Sequence, residues 1–192
     1  MTIPNILTLI RILLMPILVC VFSTSISQPN YVATSIIIMA CLTDFLDGWI
    51  ARKWNQKSII GMIFDPIADK LLLMVVLILL VQRYSDFTLV VLSILLLARE
   101  FLVAGIREAL AIIAKKSTLP VSLFGKVKTT LQMIAIIILV AYHSQLPFWV
   151  YQVGFYTLCI ATLMSLYSML TYMKSAINQI DFKDRKLFLF KT

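Results

Sequence analysis

Six runs of mostly apolar residues, each roughly twenty long, dominate this chain: 6–25, 31–50, 63–82, 87–108, 123–142 and 149–173. A helix rises about 1.5 Å per residue, so about 20 such residues match the ~30 Å hydrocarbon core of a bilayer. Inside lipid every backbone polar group must be satisfied, which favours helices for runs of this kind. The connections STSISQPN, RKWNQKS, RYSD, AKKSTLP and HSQLP hold the charges and turn formers that separate helices. The expectation is an all-α integral membrane protein: a six-transmembrane-helix bundle in a single membrane domain over 1–192, ending in a cytoplasmic tail at 175–192. The opening MTIPNILTLIRILLMPILV has no small-residue cleavage site, so the first run is expected to be retained as a helix.

Lys and Arg outnumber Asp and Glu by 17 to 9, a net charge of +8. Nucleic acid is not the expected partner, because no soluble basic domain exists to hold it. The charges report topology instead. Arg52, Lys53 and Lys57 follow the second run; Lys115, Lys116, Lys126 and Lys128 follow the fourth; Lys174, Lys183, Arg185, Lys186 and Lys191 lie in the tail. The opposite connections have only Arg83, beside Asp86. Both termini are therefore expected in the cytoplasm, with membrane lipid as the surrounding partner. Cys20, Cys41 and Cys159 lack CxxC spacing and are expected to pack as small hydrophobes.

Against this background, four carboxylates are out of place. Asp44 and Asp47 lie at i, i+3 on the second run, and Asp65 and Asp69 at i, i+4 on the third. Each spacing puts a pair on one helical face. An aspartate at mid-span costs about 2.5–3.5 kcal/mol on insertion scales, and four together repel. Both pairs flank the same connection, so two adjacent antiparallel helices are expected to aim them at one point. Two divalent cations would cancel their charge, and all-oxygen donors favour Mg²⁺, Mn²⁺ or Ca²⁺ over soft metals. A purely structural alternative pairs the acids with Arg52 or Lys70. Gly48 and Gly61 allow close approach of a ligand, Arg52 suits a phosphate, and Pro66 kinks or starts the third helix. The constellation suits a phosphorylated, partly lipidic substrate at the cytoplasmic face.

Residues 44–69 read D-x2-D-G-x2-A-R-x8-G-x3-D-x3-D, with eight fixed positions across 26 residues. This resembles the signature of the CDP-alcohol phosphatidyltransferases. The resemblance implies a six-helix core, commonly homodimeric, with a cavity open to the cytoplasm. It also implies transfer of a phosphatidyl or substituted phosphoryl group from a CDP-linked donor to an alcohol. On this reading Asp44, Asp47, Asp65 and Asp69 hold two divalent ions, Mg²⁺ or Mn²⁺, and Asp69 is also the general base. Gly48, Ala51, Arg52 and Gly61 frame the cytidine and diphosphate, with Ser58 contacting the nucleotide. Asn5, Thr8 and Arg11 recur at three-residue steps and are expected to form a polar stripe facing it.

Outside the signature, PNILTLIRILLMP at 4–16, AREFLVAGIRE at 98–108 and GKVKTTLQ at 125–132 look like the bacterial branch of the family that uses glycerol 3-phosphate as acceptor. Arg99 and Arg107 are about 80° apart around one helix, and Lys126 and Lys128 open the fifth run at the same level. Such cations suit an acceptor that brings its own phosphate. The expected reaction joins CDP-diacylglycerol and sn-glycerol 3-phosphate to give phosphatidylglycerol phosphate and CMP at the cytoplasmic membrane. The alternatives are a sibling transferase acting on phosphatidylglycerol or inositol phosphate, and a cation-coupled transporter. Transporter sites favour the midplane between repeats, whereas these acids lie near one face.

Overall fold

The computed structural model describes residues 3–24, 29–53, 59–114 and 123–189. Six helices account for nearly all of them: α1 Ile3–Ser23, α2 Pro29–Lys53, α3 Ile59–Tyr84, α4 Phe87–Ala114, α5 Leu123–Ala141 and α6 Phe148–Leu189. Three contain stretches long and apolar enough to cross a membrane, at Asn5–Ser23, Phe87–Ala109 and Phe148–Ile177. Helix α3 begins before Pro66, which therefore sits inside it. A proline there cannot bond the carbonyl one turn back, and that carbonyl lies at the level of the acids.

α1 packs on α2 and α3, α5 on α2, α3 and α6, and α4 on α3 and α6. The bundle closes as a ring in the order α1, α2, α5, α6, α4, α3, and α3 and α5 meet across it. Among the described residues α2 and α3 make no close backbone approach. The expectation that these two helices are direct neighbours is corrected, because α1 stands between them. The physical reason is electrostatic: two acid-bearing faces repel when bare, and α1 brings a cation to the gap.

Leu18, Ile37, Leu77, Leu80, Leu89, Leu96, Leu139 and Leu158 are wholly or almost wholly buried and form the centre of the packing. Leu13, Ile17, Met39, Ile94 and Leu163 point outward. An apolar exterior of this kind suits lipid, where packing of small residues brings helices together. Gly154 on α6 illustrates it, since a Cβ there would meet Ile138 Cγ2 and Leu139 Cγ at 3.0 Å. The three cysteines are free thiols, as expected, but Cys20 is exposed on the outer surface and Cys41 and Cys159 are half-buried. In lipid an exposed thiol loses nothing by facing outward.

One end of the bundle is fastened by hydrogen bonds to the last carbonyls of α5, which have no partners within their own helix. Arg83 donates to the carbonyls of Val140 and Tyr142, Tyr84 to that of Leu139 at 2.6 Å, and Asn30 to that of Tyr142 at 3.0 Å. Between α3 and α4, Ser85 adopts φ 49° while its N–H reaches the Val81 carbonyl at 3.0 Å. This is a left-handed helix stop. Asp86 then accepts from the Thr88 N–H at 2.8 Å and caps α4. Rings of Tyr84, Tyr142 and Tyr151 cluster here with centroids 5.0–6.4 Å apart. His143 Nδ1 lies 3.2 Å from the Ala141 carbonyl, which can only accept, so its Nε2 accepts from the Tyr31 hydroxyl at 3.3 Å. His143 thus belongs to an interfacial aromatic belt rather than to the acids.

Candidate active site

The opposite end of the bundle gathers the charged residues. Helix directions alternate, so the start of α1, the end of α2, the start of α3, the end of α4, the start of α5 and the later turns of α6 share this end. Two polar clusters occupy it, one on α1, α2 and α3 and the other on α4, α5 and α6.

In the first cluster the Arg11 side chain is completely buried, at 0% exposure. Its Nη1 donates to Asp69 Oδ1 at 2.8 Å, and its Nη2 lies 3.2 Å from Asp44 Oδ1. One guanidinium thereby joins acids from α2 and α3. A turn earlier on α1, the buried Thr8 hydroxyl donates to Asp65. The carboxylates are much more open than their partner, with Asp44 50% and Asp69 48% exposed. Charge is buried on the α1 side and oxygen is presented on the other. Gly61, one turn before Asp65, is buried and leaves the backbone there uncovered by a side chain.

Asp44, Asp65 and Asp69 each meet a side chain of α1, with no direct packing of α2 on α3 among the described residues. Among the described residues no group of three acids is close enough to hold a metal ion. The side chains of Asp47, Ala51, Arg52 and Lys126 and the surroundings of Gly48 lie outside what is described, although the backbone at all five is helical. Ser58 lies outside them altogether. Asn5, Thr8 and Arg11 follow one another at three-residue steps along α1, and the buried Thr8 meets Asp65. The pairing of Arg11 with Asp44 and Asp69 was not foreseen from sequence. The three-residue recurrence of Asn5, Thr8 and Arg11 was its only signal.

The second cluster surrounds Lys128. Its side chain is 7% exposed, and its ammonium donates to the Ser168 hydroxyl on α6 at 3.1 Å. No carboxylate among the described residues forms an ion pair with it. Arg99, 3% exposed on α4, pairs with its neighbour Glu100. Arg99 and Arg107 act on Lys128 as like charges and Glu100 as the opposing one. Arg107 is exposed, and its guanidinium carbon lies 6.0 Å from the Tyr172 ring centroid on α6. Three of the expected cations, Arg99, Arg107 and Lys128, thus lie near α6, which sequence reasoning had not included. Around them Arg99 Nε, Gln132 Oε1 and Ser165 Oγ are buried without a hydrogen-bond partner among the described residues. Gln132 lies one turn from Lys128, and Ser165 three residues from Ser168. Buried polar atoms in native proteins are nearly always paired, so a concentration of unpaired ones next to excess positive charge suits a polar, anionic ligand.

A surface groove of about 480 Å³ runs along α4 beside Phe101, Leu102, Gly105, Ile106 and Ala109. It is apolar and made by one helix face, so it has no chemistry of its own.

The family model described as CDP-alcohol phosphatidyltransferase matches residues 1–175. A protein of Shigella flexneri serotype 5b named CDP-diacylglycerol–glycerol-3-phosphate 3-phosphatidyltransferase is 36% identical over 174 residues, covering 91% of this chain and 94% of its own. The protein of the same name from Escherichia coli K12 shows the same identity and coverage.

Proposed function

Because the chain belongs to the CDP-alcohol phosphatidyltransferase family, we propose that it moves the phosphatidyl group of CDP-diacylglycerol to sn-glycerol 3-phosphate, giving phosphatidylglycerol phosphate and CMP. The observation that supports this most directly is the meeting of Asp44 and Asp69, from two different helices, on one buried arginine. Both acids belong to the motif at 44–69, and both are about half exposed. The name shared by relatives matching 91% of the chain supports the choice of acceptor.

Hard oxygen donors with open faces fit Mg²⁺ or Mn²⁺. Asp44, Asp47, Asp65 and Asp69 would hold two such ions, which when bound would neutralise the donor diphosphate and the charge developing on CMP. Gly48, Ala51, Arg52, Ser58 and Gly61, with Asn5 and Thr8, would frame the nucleotide. The acceptor phosphate is assigned to Arg99, Arg107, Lys126 and Lys128. Asp69 takes the proton from the C1 hydroxyl of glycerol 3-phosphate. That oxygen forms a bond to the diacylglycerol-bearing phosphorus as the bond to CMP breaks, so no enzyme-bound covalent intermediate is needed. Both substrates approach from the cytoplasmic side of the membrane, and the working unit is assigned as a homodimer.

The test is release of labelled CMP from CDP-diacylglycerol by the purified protein with a panel of acceptors, with Mg²⁺ or Mn²⁺ and with chelator. Release that needs glycerol 3-phosphate and a divalent ion supports the proposal. Preference for phosphatidylglycerol or inositol phosphate would reassign the acceptor. Ion counterflow in proteoliposomes without CMP release would replace the enzyme with a transporter.

A further inference from the structure

We propose that Arg11 is a built-in counter-ion and positioning residue of the acid cluster. It holds Asp44 and Asp69 at a fixed separation by a charge that belongs to the chain and is present whatever ion is bound. The proposal rests on the metal-binding reading above only for its consequence for ion binding; the pairing itself is read from the structure.

Arg11 emerges from α1, the helix standing between α2 and α3. Its guanidinium has no exposed surface, yet the two carboxylates that meet it are about half exposed. A guanidinium presents several N–H donors in a rigid planar fork, so one residue can serve two acids on different helices at once. Here separate arms do so, at 2.8 Å to Asp69 and 3.2 Å to Asp44. Lysine, a single compact ammonium, lacks that fork. Thr8 provides a second, neutral contact from the same face of α1, to Asp65. The acids are thereby anchored from behind, each through an oxygen turned towards α1, while exposed carboxylate surface remains on the other side.

Charge counting gives this arrangement a consequence. The four aspartates and Arg11 together bear three negative charges. One divalent ion leaves a single negative charge, and two leave a single positive one. A centre that becomes positive only on full loading attracts a diphosphate, whereas four bare acids with two ions would be neutral. The same cation lowers the repulsion that would otherwise drive α2 and α3 apart when ions are scarce. Arg11 therefore makes the packing of the three helices less dependent on divalent ions than the acid count alone implies.

The experiment measures the melting temperature of the full chain in lipid nanodiscs, with chelator and with saturating Mn²⁺. The proteins compared are the parent, Arg11→Gln, Arg11→Lys, Asp44→Asn and the double variant Arg11→Gln with Asp44→Asn. In chelator, Arg11→Gln is expected to melt on the order of 10 °C lower, because the buried partner of two half-exposed acids is lost and their repulsion is left unbalanced. Mn²⁺ should raise the melting point of Arg11→Gln by more than it raises the parent's. Arg11→Lys should recover part of the loss, and Asp44→Asn should recover part of it by removing the unbalanced charge. A loss equal with and without Mn²⁺, combined with an additive Asp44→Asn effect, would mean Arg11 is ordinary packing and would overturn the proposal. Should Arg11→Gln fail to fold, the double variant decides: a folded double variant supports the proposal and an unfolded one refutes it. Absence of any Mn²⁺ response in the parent counts against the metal-binding reading alone and leaves the Asp44 coupling to judge Arg11.

Discussion

At the residue scale, Arg11 fixes one oxygen of Asp69, so the orientation of the assigned base is set before any substrate arrives. Asp69→Asn keeps the shape and a hydrogen-bonding group but cannot take up the proton. Turnover should fall by about 10²–10⁴-fold, the range of general-base contributions, while binding of CDP-diacylglycerol survives. Steady-state rates beside a donor-binding assay separate the two; an unchanged rate would remove Asp69 from the chemistry. Lys128 has the opposite surroundings, a buried ammonium facing a neutral hydroxyl with Arg99 and Arg107 nearby. A charge-assisted contact to a phosphate is worth about 1.5–3 kcal/mol. Lys128→Met should therefore raise KM for glycerol 3-phosphate roughly 10–100-fold and leave KM for the donor nearly unchanged. A rise confined to the donor would move Lys128 into the nucleotide or lipid site. The acids were legible in the sequence because carboxylates in apolar runs are costly and rarely idle. The partner of Arg11 was not, because three-residue spacing shows which residues share a face and is silent on which helix that face meets.

At the element scale, hydropathy located all six helices, and their ends differ from the apolar runs in ways that chemistry explains. The run expected at 149–173 became a helix over Phe148–Leu189. Apolarity marks where lipid ends, whereas a helix continues until glycine, proline or a cap stops it. No glycine or proline occurs between Leu158 and Thr192. Helix α5 shows the reverse case, a short element finished by its neighbours. Its last carbonyls are satisfied by Arg83, Tyr84 and Asn30 from α3 and α2. Arg83→Ala removes two charge-assisted bonds at the end of a helix whose dipole favours a cation there. Loss of about 2 kcal/mol should lower the melting temperature by roughly 4–8 °C without changing KM for either substrate. Thermal unfolding beside kinetics checks this, and a kinetic change without a thermal one would mean the far end of the bundle communicates with the site.

At the scale of the whole molecule, basic residues crowd the end that holds the acids, and the opposite end is aromatic. Positive charge is retained on the cytoplasmic side, and tyrosine rings settle at the interface. Both termini should then face the cytoplasm: a C-terminal green fluorescent protein fusion should fluoresce, and a C-terminal alkaline phosphatase fusion should be inactive. The reverse pattern would invert the bundle and place the candidate site outside. Neighbour order was the part of the architecture that hydropathy could not reveal, since every apolar stripe suits every other about equally in lipid. The placing of α1 between α2 and α3 therefore matters for biogenesis. Synthesis delivers this helix to the membrane before α2 and α3, with an arginine about 12 Å along it from Ile3. Neither Asp44 nor Asp69 has yet entered the membrane at that moment, and a lone guanidinium in lipid is unfavourable by up to a few kcal/mol. Insertion of the second segment supplies one carboxylate and insertion of the third supplies the other. Of these three helices, the earliest to leave the ribosome is thus the one that waits longest for its final environment.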